Sequence, residues 1–454
     1  MQDFKKILHF FKNRIIIYVV DKLYKGRMSM KYSEMTVEQL KAEKNSLQKA
    51  FDDYKAKNLS LDMSRGKPGS EQLDLSMPLL DIMHSSVDCT DDSGFDCRNY
   101  GMMDGLPSIK KIFAGMMQVD PESVMVGGNA SLSMMFDTVA AFMYKSPVEG
   151  EKPWQEINDR KFLCPAPGYD RHFGITGYFG FNMIPIPMTS EGPDMDVVEQ
   201  LVSSDDTIKG IWCVPKYSNP QGVTYSDETV KRFANLNPKA KDFRIFWDDA
   251  YCVHDVTDTP DTLISIMEEC KKTGKEDLPI IFSSTSKITF PGAGVAALAA
   301  SENNLKFLKE KYKYQTISYD KMNMLRHVKF FGDFDGVKAH MEKHKAILKP
   351  RFEKVIEKLE TQVKESGAVQ WIEPNGGYFV SVDVMPGTAK RVVALCKEAG
   401  VVLTGAGATY PYGDDPKDSN IRIAPSYPPV EELDGAMDIF CIAAKLAAVE
   451  KLLA

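Results

Sequence analysis

Residues 279–294 read PIIFSSTSKITFPGAG, and the character of this stretch decides the fold. Residues 279–282 form a short apolar run of the kind that makes a buried strand. It hands over at once to a serine-rich turn with one lysine, Lys287. A lysine amine becomes a useful nucleophile when it is desolvated or set beside another cation, and its usual covalent task is a Schiff base with a carbonyl. The hydroxyls of Ser283, Ser284 and Ser286, with Gly292 and Gly294, suit an anionic group lying beside that carbonyl. A solvated loop uses the same residue types, so the assignment depends on further parts of a site at sensible spacing.

Such parts recur at the ends of other apolar runs. Residues 123–126 run into Gly127, Gly128, Asn129, Ala130 and Ser131, and a helix is expected over 132–144. Small residues at a helix start let backbone N–H groups face an anion. The spacing matches neither the G-x-x-x-x-G-K-[ST] nor the G-x-G-x-x-G pattern, which disfavours nucleotide triphosphates and dinucleotides. Residues 161–164 lead to Tyr169, 208–214 to Asn219 in an Asn-Pro-x-Gly turn, and 243–247 to Asp248, with Tyr251 three residues on. Each has a plain alternative: a core tyrosine, a turn asparagine, a capping aspartate. Their convergence favours a site, because ligands of an α/β sheet gather outside the carboxyl ends of its strands. Asp249 competes with Asp248 as the chemically similar neighbour.

At 454 residues the chain can hold two domains with separate cores. A net charge of −7 gives no basic surface for nucleic acid, so an acidic ligand must be met by local cations. The eight cysteines include no C-x-x-C pair and read as free thiols of a reducing compartment, the cytoplasm. Residues 1–29 stand apart, with seven Lys/Arg against two Asp around the apolar run 15–20, which is too short to cross a bilayer. They read as a disordered extension. From Thr36 a capping pair with Glu38 opens a helix to about residue 55. His340 and His344 are spaced i, i+4 on a charged helix, but no Glu follows His340, so they read as solvated side chains and no metal is expected.

Tyr100, Gly128 to Ser131, Tyr169, Asn219 in NPQG, Asp248 and Tyr251 in DDAY, Lys287 in SSTSK and Arg422 in NIRIAPSYP occur together and in this order. This set resembles the fold type I pyridoxal-phosphate aminotransferases of class I/II. The segments SRGKPGSEQLDLS, GGNASLSMMFD and TSKITFPGAG bring it closest to the type Ic aspartate aminotransferase subgroup. The resemblance runs from about residue 61 to the C-terminus. It implies pyridoxal 5′-phosphate as cofactor and an α/β fold: a three-layer αβα large domain with a mostly parallel sheet, residues 76–329, and a smaller α+β domain, residues 30–75 and 330–454. It implies that Lys287 carries the cofactor and shuttles the α-proton, and that Asp248 keeps the pyridine nitrogen protonated. Asn219 and Tyr251 would bond the ring's phenolic oxygen, and Tyr169 would stack on the ring. Asn129, Ala130, Ser131, Ser284 and Ser286 would hold the phosphate, with Tyr100 reaching it from the partner of a homodimer that shares its active sites. Arg422 would bind the substrate α-carboxylate, near Gly66.

One departure stands out. The family places an arginine eight residues after the lysine, facing the phosphate, whereas here the loop from Lys287 to Val295 contains none. The activity implied is ping-pong transamination of L-aspartate with 2-oxoglutarate through pyridoxamine phosphate. Arg65 and Lys67 are the candidates for closure over the substrate and Arg326 for its distal carboxylate. Transamination of alanine or another donor, a C–S lyase, and a cofactor-binding regulatory domain are the alternatives. The last needs a basic winged-helix module for which the first 60 residues are too short.

Overall fold

The computed structural model describes residues 31–454, so the extension expected over 1–29 lies outside the described residues. The strands up to the middle of the chain are β1 (Leu61–Asp62), β2 (Val124–Val126), β3 (Lys161–Ala166), β4 (Asn182–Thr189), β5 (Gly192–Pro193), β6 (Ile208–Cys213), β7 (Arg244–Asp248), β8 (Pro279–Ser284) and β9 (Ala296–Ala300). Strands β2 to β9 form one sheet in the order β2-β9-β8-β7-β6-β3-β4-β5. Its centre, β8-β7-β6-β3-β4, is parallel; β9 runs antiparallel to both neighbours, and β5 to β4.

Sequence explains this architecture directly. β6, β7 and β8 are buried at every residue and carry unbroken apolar runs, as strands covered on both faces must. β4, beside the edge, mixes buried and exposed positions. The pleat divides the side chains between two cores. Ile211, Ile245, Trp247 and Ile281 pack on one face, and Trp212, Phe246, Ile280 and Phe282 on the other. Helices cover both faces, giving the expected αβα layers. Among them, Ser131–Tyr144 packs on the second face and Pro107–Met117 on the first.

A third core joins helix Val37–Lys55, helix Val430–Leu452 and the antiparallel sheet of β10 (Val369–Trp371), β11 (Val380–Val384) and β13 (Asn420–Ile423). Between the last two in sequence, β12 (Val401–Val402) pairs in parallel with β1. The long helix Phe334–Gln362 serves two cores: Val337 and Met341 pack below the large sheet, while Leu348, Phe352, Val355 and Leu359 enter the third core.

Three local expectations are corrected. The capping partner of Thr36 is Gln39, not Glu38: Gln39 N–H donates to Thr36 Oγ1 at 3.3 Å, and Thr36 N–H to Gln39 Oε1 at 2.8 Å. Only the third helical position can reach back to the cap. The largely apolar run 378–382 predicts a strand from Tyr378, but the strand begins two residues later, because Gly377 takes φ +84° and donates its N–H to the His254 carbonyl rather than to a strand. His340 and His344 are not solvated but 4% and 0% exposed. Their helix presses this face onto the turn that carries Lys287, where His340 Nε2 lies 2.9 Å from the Ile288 carbonyl.

Candidate active site

β8 ends at Ser284, and residues 285–289 form one helical turn in which Thr285 O accepts from the N–H groups of Ile288 and Thr289 at 2.9 and 2.8 Å. Lys287 stands on this turn with its Nζ 4.8 Å from the centre of the Tyr251 ring. Burial holds its pKa below the ordinary lysine value, opposed by the charge of Asp248. An amine so placed loses its proton more readily than a surface lysine, as an amine that attacks a carbonyl must.

β7 delivers Asp248, 3% exposed. Its Oδ2 lies 3.0 Å from His172 Nε2, and His172 is stacked at 4.4 Å and 9° on Trp212. Its Oδ1 is buried without a partner. A lone buried carboxylate oxygen is costly. The protonated nitrogen of a pyridine ring would satisfy it. Asp249 is buried too, but no histidine among the described residues meets it, and burial pushes its carboxyl up to about 7. Of the two neighbours, Asp248 is the one held by a second side chain.

Arg422, on β13, is 8% exposed. Its Nη1 donates to Asn219 Oδ1 at 3.1 Å and to Asp170 Oδ1 at 3.2 Å, its Nη2 to Thr404 Oγ1 at 3.4 Å, and its Nε has no partner. The guanidinium lies 4.7 Å over the Phe379 ring. Gly66 touches the same ring: a Cβ there would stand 2.3 Å from Phe379 Cζ, so only glycine lets segment 65–67 approach Phe379 this closely. Tyr169 opens helix Asp170–Tyr178 and sits edge-on to His172 at 5.0 Å. Burial raises its phenol to about 12, and that of Tyr251 well above its ordinary value.

The helix Ser131–Tyr144 starts at Ala130 without a side-chain cap, which leaves its first N–H groups for an anion. Ser286 Oγ, hydrogen-bonded to Ser284 Oγ at 3.0 Å, donates to Asn129 O at 3.3 Å, tying the lysine turn to this cradle. Gly294 abuts it too, since a Cβ at that position would stand 3.3 Å from Asn129 O. Arg326 reaches the same loop indirectly: its Nη2 donates to Asn323 Oδ1 at 3.1 Å, and Asn323 Nδ2 donates to Ala293 O and Gly294 O. Its Nε is buried and unpartnered.

The structure thus brings together Lys287, Asp248, Tyr251, Tyr169, Asn219 and Arg422, with Asn129, Ala130, Ser131, Ser284 and Ser286 beside them. Arg65 and Lys67 are exposed, and Lys67 Nζ rests 3.9 Å over the Tyr427 ring. Tyr100 is 74% exposed. Sequence reasoning missed His172, Asp170, Thr404 and Phe379. Of these only His172 had a local signal: it follows Tyr169 by three residues at a helix start and so shares its face.

These residues fit a cofactor with an aldehyde, a ring nitrogen and a phosphate, and the fold with this site is that of a fold type I pyridoxal-phosphate aminotransferase. The model of the family described as Aspartate amino-transferase matches residues 35–454, and the chain belongs to that family. An aspartate aminotransferase of Corynebacterium glutamicum is 44% identical over 94% of this chain and 98% of its own length. The crystal structure of an aspartate transaminase from the same organism superposes with a TM-score of 0.91 at 44% identity, covering 93% of this chain and 99% of that one. An α-aminoadipate aminotransferase of Thermus thermophilus, solved with a phosphopyridoxyl-leucine, shares the fold at a TM-score of 0.70 and 18% identity, over 87% of this chain and 93% of its own. Among the described residues no helix is long and apolar enough to cross a membrane.

Proposed function

We propose that the chain transaminates L-aspartate with 2-oxoglutarate, giving oxaloacetate and L-glutamate, as a cytoplasmic homodimer. The observation that carries the reading is the meeting of a desolvated lysine, a carboxylate with one unpartnered oxygen, and an arginine with an unpartnered Nε around Tyr251 and Tyr169. Bound pyridoxal phosphate supplies the electron sink that makes an amino acid's α-proton acidic.

The chain's own groups do the rest. Lys287 Nζ would hold the cofactor and, once freed from it, would take the α-proton of the bound amino acid. Asp248, held by His172, would keep a positive charge at the ring nitrogen. Arg422 receives the α-carboxylate as a fork, with Asn219 fixing its plane. Tyr251 and Asn219 would donate toward the ring oxygen, Tyr169 would face the ring, and Asn129, Ala130, Ser131, Ser284 and Ser286 would hold the phosphate. Exposed Tyr100 serves the neighbouring subunit.

The aspartate assignment is supported by the Corynebacterium relative and by two cations in the segment that packs on Phe379: Arg65 and Lys67 flank Gly66, which touches the ring that also lies under Arg422. A spectrum of the amino-acid half-reaction with a panel of donors tests it. Aspartate and glutamate should convert the cofactor fastest. Faster conversion by alanine or an aromatic donor, or release of ammonia from a β-substituted donor, overturns the substrate assignment. A solution mass near that of a single chain overturns the dimer.

A further inference from the structure

Behind the Lys287 turn lies a buried polar layer that the cofactor chemistry does not use. Tyr378 Oη donates to the main-chain carbonyl of Lys287 at 3.2 Å. Gln72 Nε2 donates to Tyr378 Oη at 2.9 Å, and the Gln72 amide is fixed from its other side by the N–H of Gly69 at 3.2 Å. Gln72 Nε2 also lies 3.0 Å from His344 Nδ1, and His344 Nε2 lies 3.1 Å from His340 Nε2, which faces the next carbonyl, that of Ile288. Gln72 and His344 are 0% exposed and Tyr378 1%.

An amide, a phenol and imidazoles buried together are costly unless each is satisfied, and apolar side chains of the same size would fill this space with no such demand. What the polar set adds is direction. It claims the two peptide carbonyls at and just after Lys287, with side chains from segments hundreds of residues apart in sequence. The next residue, Phe379, faces the other way, under Arg422 and against Gly66. A two-residue stretch therefore touches the lysine's main chain on one side and the carboxylate-binding arginine with the 65–67 segment on the other.

We propose that Tyr378, oriented by Gln72 and His344, is a positioning residue for Lys287. The proposal rests on Lys287 being the residue that moves the α-proton. Reaction rates fall steeply when a reacting group is misplaced by about an ångström, so the loss should appear in the proton-transfer step.

Tyr378→Phe removes only the hydroxyl. With saturating donor its half-reaction should slow at least roughly tenfold, while KM changes little. The rate ratio between α-protonated and α-deuterated donor should rise, because proton transfer becomes the slowest step, and the near-visible absorbance of the cofactor-loaded enzyme should titrate at a different pH. Gln72→Met should move all three readouts in the same direction, and it carries the test with His344→Asn if Tyr378→Phe does not fold. Unchanged rate and isotope ratio in these variants overturn the proposal, as does a rate that falls only in step with lost stability at an unchanged isotope ratio. Lys287→Ala, run beside them, separates the two readings. If it still transaminates, the role of Lys287 falls and this inference with it; if it is inactive while Tyr378→Phe is unaltered, only the inference falls.

Discussion

The two ends of the large sheet treat buried charge in opposite ways. At the amino end, Lys209 of β6 donates to Asp242 Oδ1 at 2.7 Å, Trp154 Nε1 donates to Asp242 Oδ2 at 2.8 Å, and Arg244 of β7 donates to Asn304 Oδ1 at 3.0 Å. Both oxygens of that carboxylate are used. At the carboxyl end, Asp248 Oδ1, Asp249 Oδ1 and Arg422 Nε are buried with no partner among the described residues. Native interiors satisfy their polar groups almost everywhere, so a cluster left unpartnered marks where a ligand completes the set. The amino end is organised for stability and the carboxyl end for binding.

The comparison breaks first at Lys287. Its replacement by alanine should leave a folded chain that still takes up cofactor, while transamination falls by a factor of at least about 10⁵, ~7 kcal/mol in barrier. Steady-state turnover near that of the unaltered enzyme would remove Lys287 from the chemistry.

Next comes the choice between adjacent aspartates. Asp248→Ala takes away the anion proposed to hold the ring nitrogen's charge, and α-proton removal should slow on the order of a thousandfold or more, ~4 kcal/mol. Asp249→Ala should slow it far less. A single-turnover measurement in which Asp249→Ala is crippled and Asp248→Ala is not would reverse the assignment.

At the amino end the expected loss is of stability rather than rate. Lys209→Met strands the buried Asp242 carboxylate and should cost about 3 kcal/mol of unfolding free energy, as broken buried pairs do, with kcat per folded molecule unchanged. A loss of activity without a loss of stability in urea melts would show that this end also takes part in binding.

Asp249 sharpens the contrast through pH. With its carboxyl raised to about 7 by burial, the folded chain keeps a proton that the unfolded chain releases near pH 4. Folding binds that proton between the two values, so this group's contribution is fully present below about pH 4 and declines as pH rises through 7. Asp249→Asn has no such decline. The gap in stability between Asp249→Asn and the unaltered chain should widen in favour of the variant by roughly 1.4 kcal/mol per pH unit across that window and then level off. A flat difference from pH 4 to 8 would mean that bound cofactor or a nearby cation keeps the carboxylate ionised.

Legibility in the sequence followed locality. A strand end is a local event, an apolar run meeting a polar turn, and for this reason Lys287, Asp248, Asn219 and Tyr169 can be picked out with their strands from sequence alone. Arg422 can be named, but its partners Asp170, Asn219 and Thr404 come from three other parts of the chain. The layer behind the lysine is illegible for the same reason: Gln72 meets His344 and Tyr378 across 272 and 306 residues. On their own helix His340 and His344 sit among lysines and glutamate and look solvated, and what buries them is packing against residues outside it, among them Gln72, Phe330 and the 285–289 turn. No cation for the cofactor phosphate can be read from the sequence, because the position where the family keeps one holds Val295.

That last gap frames the smallest effect. Sequence makes Arg326 a candidate for the distal carboxylate of a dicarboxylic substrate, yet its hydrogen bonds run through Asn323 to the carbonyls of Ala293 and Gly294, beside the Asn129 cradle. A buried guanidinium nitrogen without a partner must meet an anion from one side or the other. If Arg326 serves the substrate, Arg326→Ala should raise KM for aspartate and 2-oxoglutarate at least roughly tenfold, ~1.4 kcal/mol, leave alanine nearly untouched, and keep cofactor affinity. Lys67→Ala, which frees the Tyr427 ring of the lysine now resting on it, should show the same selectivity for dicarboxylates if segment 65–67 closes over the substrate. Equilibrium dialysis of the cofactor separates the alternatives for Arg326. Weaker cofactor binding at unchanged KM would place Arg326 on the phosphate, where it would stand in for the arginine missing after Lys287. The distal carboxylate would then fall to Arg65 and Lys67, and if Arg65→Ala and Lys67→Ala both treat aspartate as the unaltered enzyme does, the second cation of the substrate site comes from elsewhere.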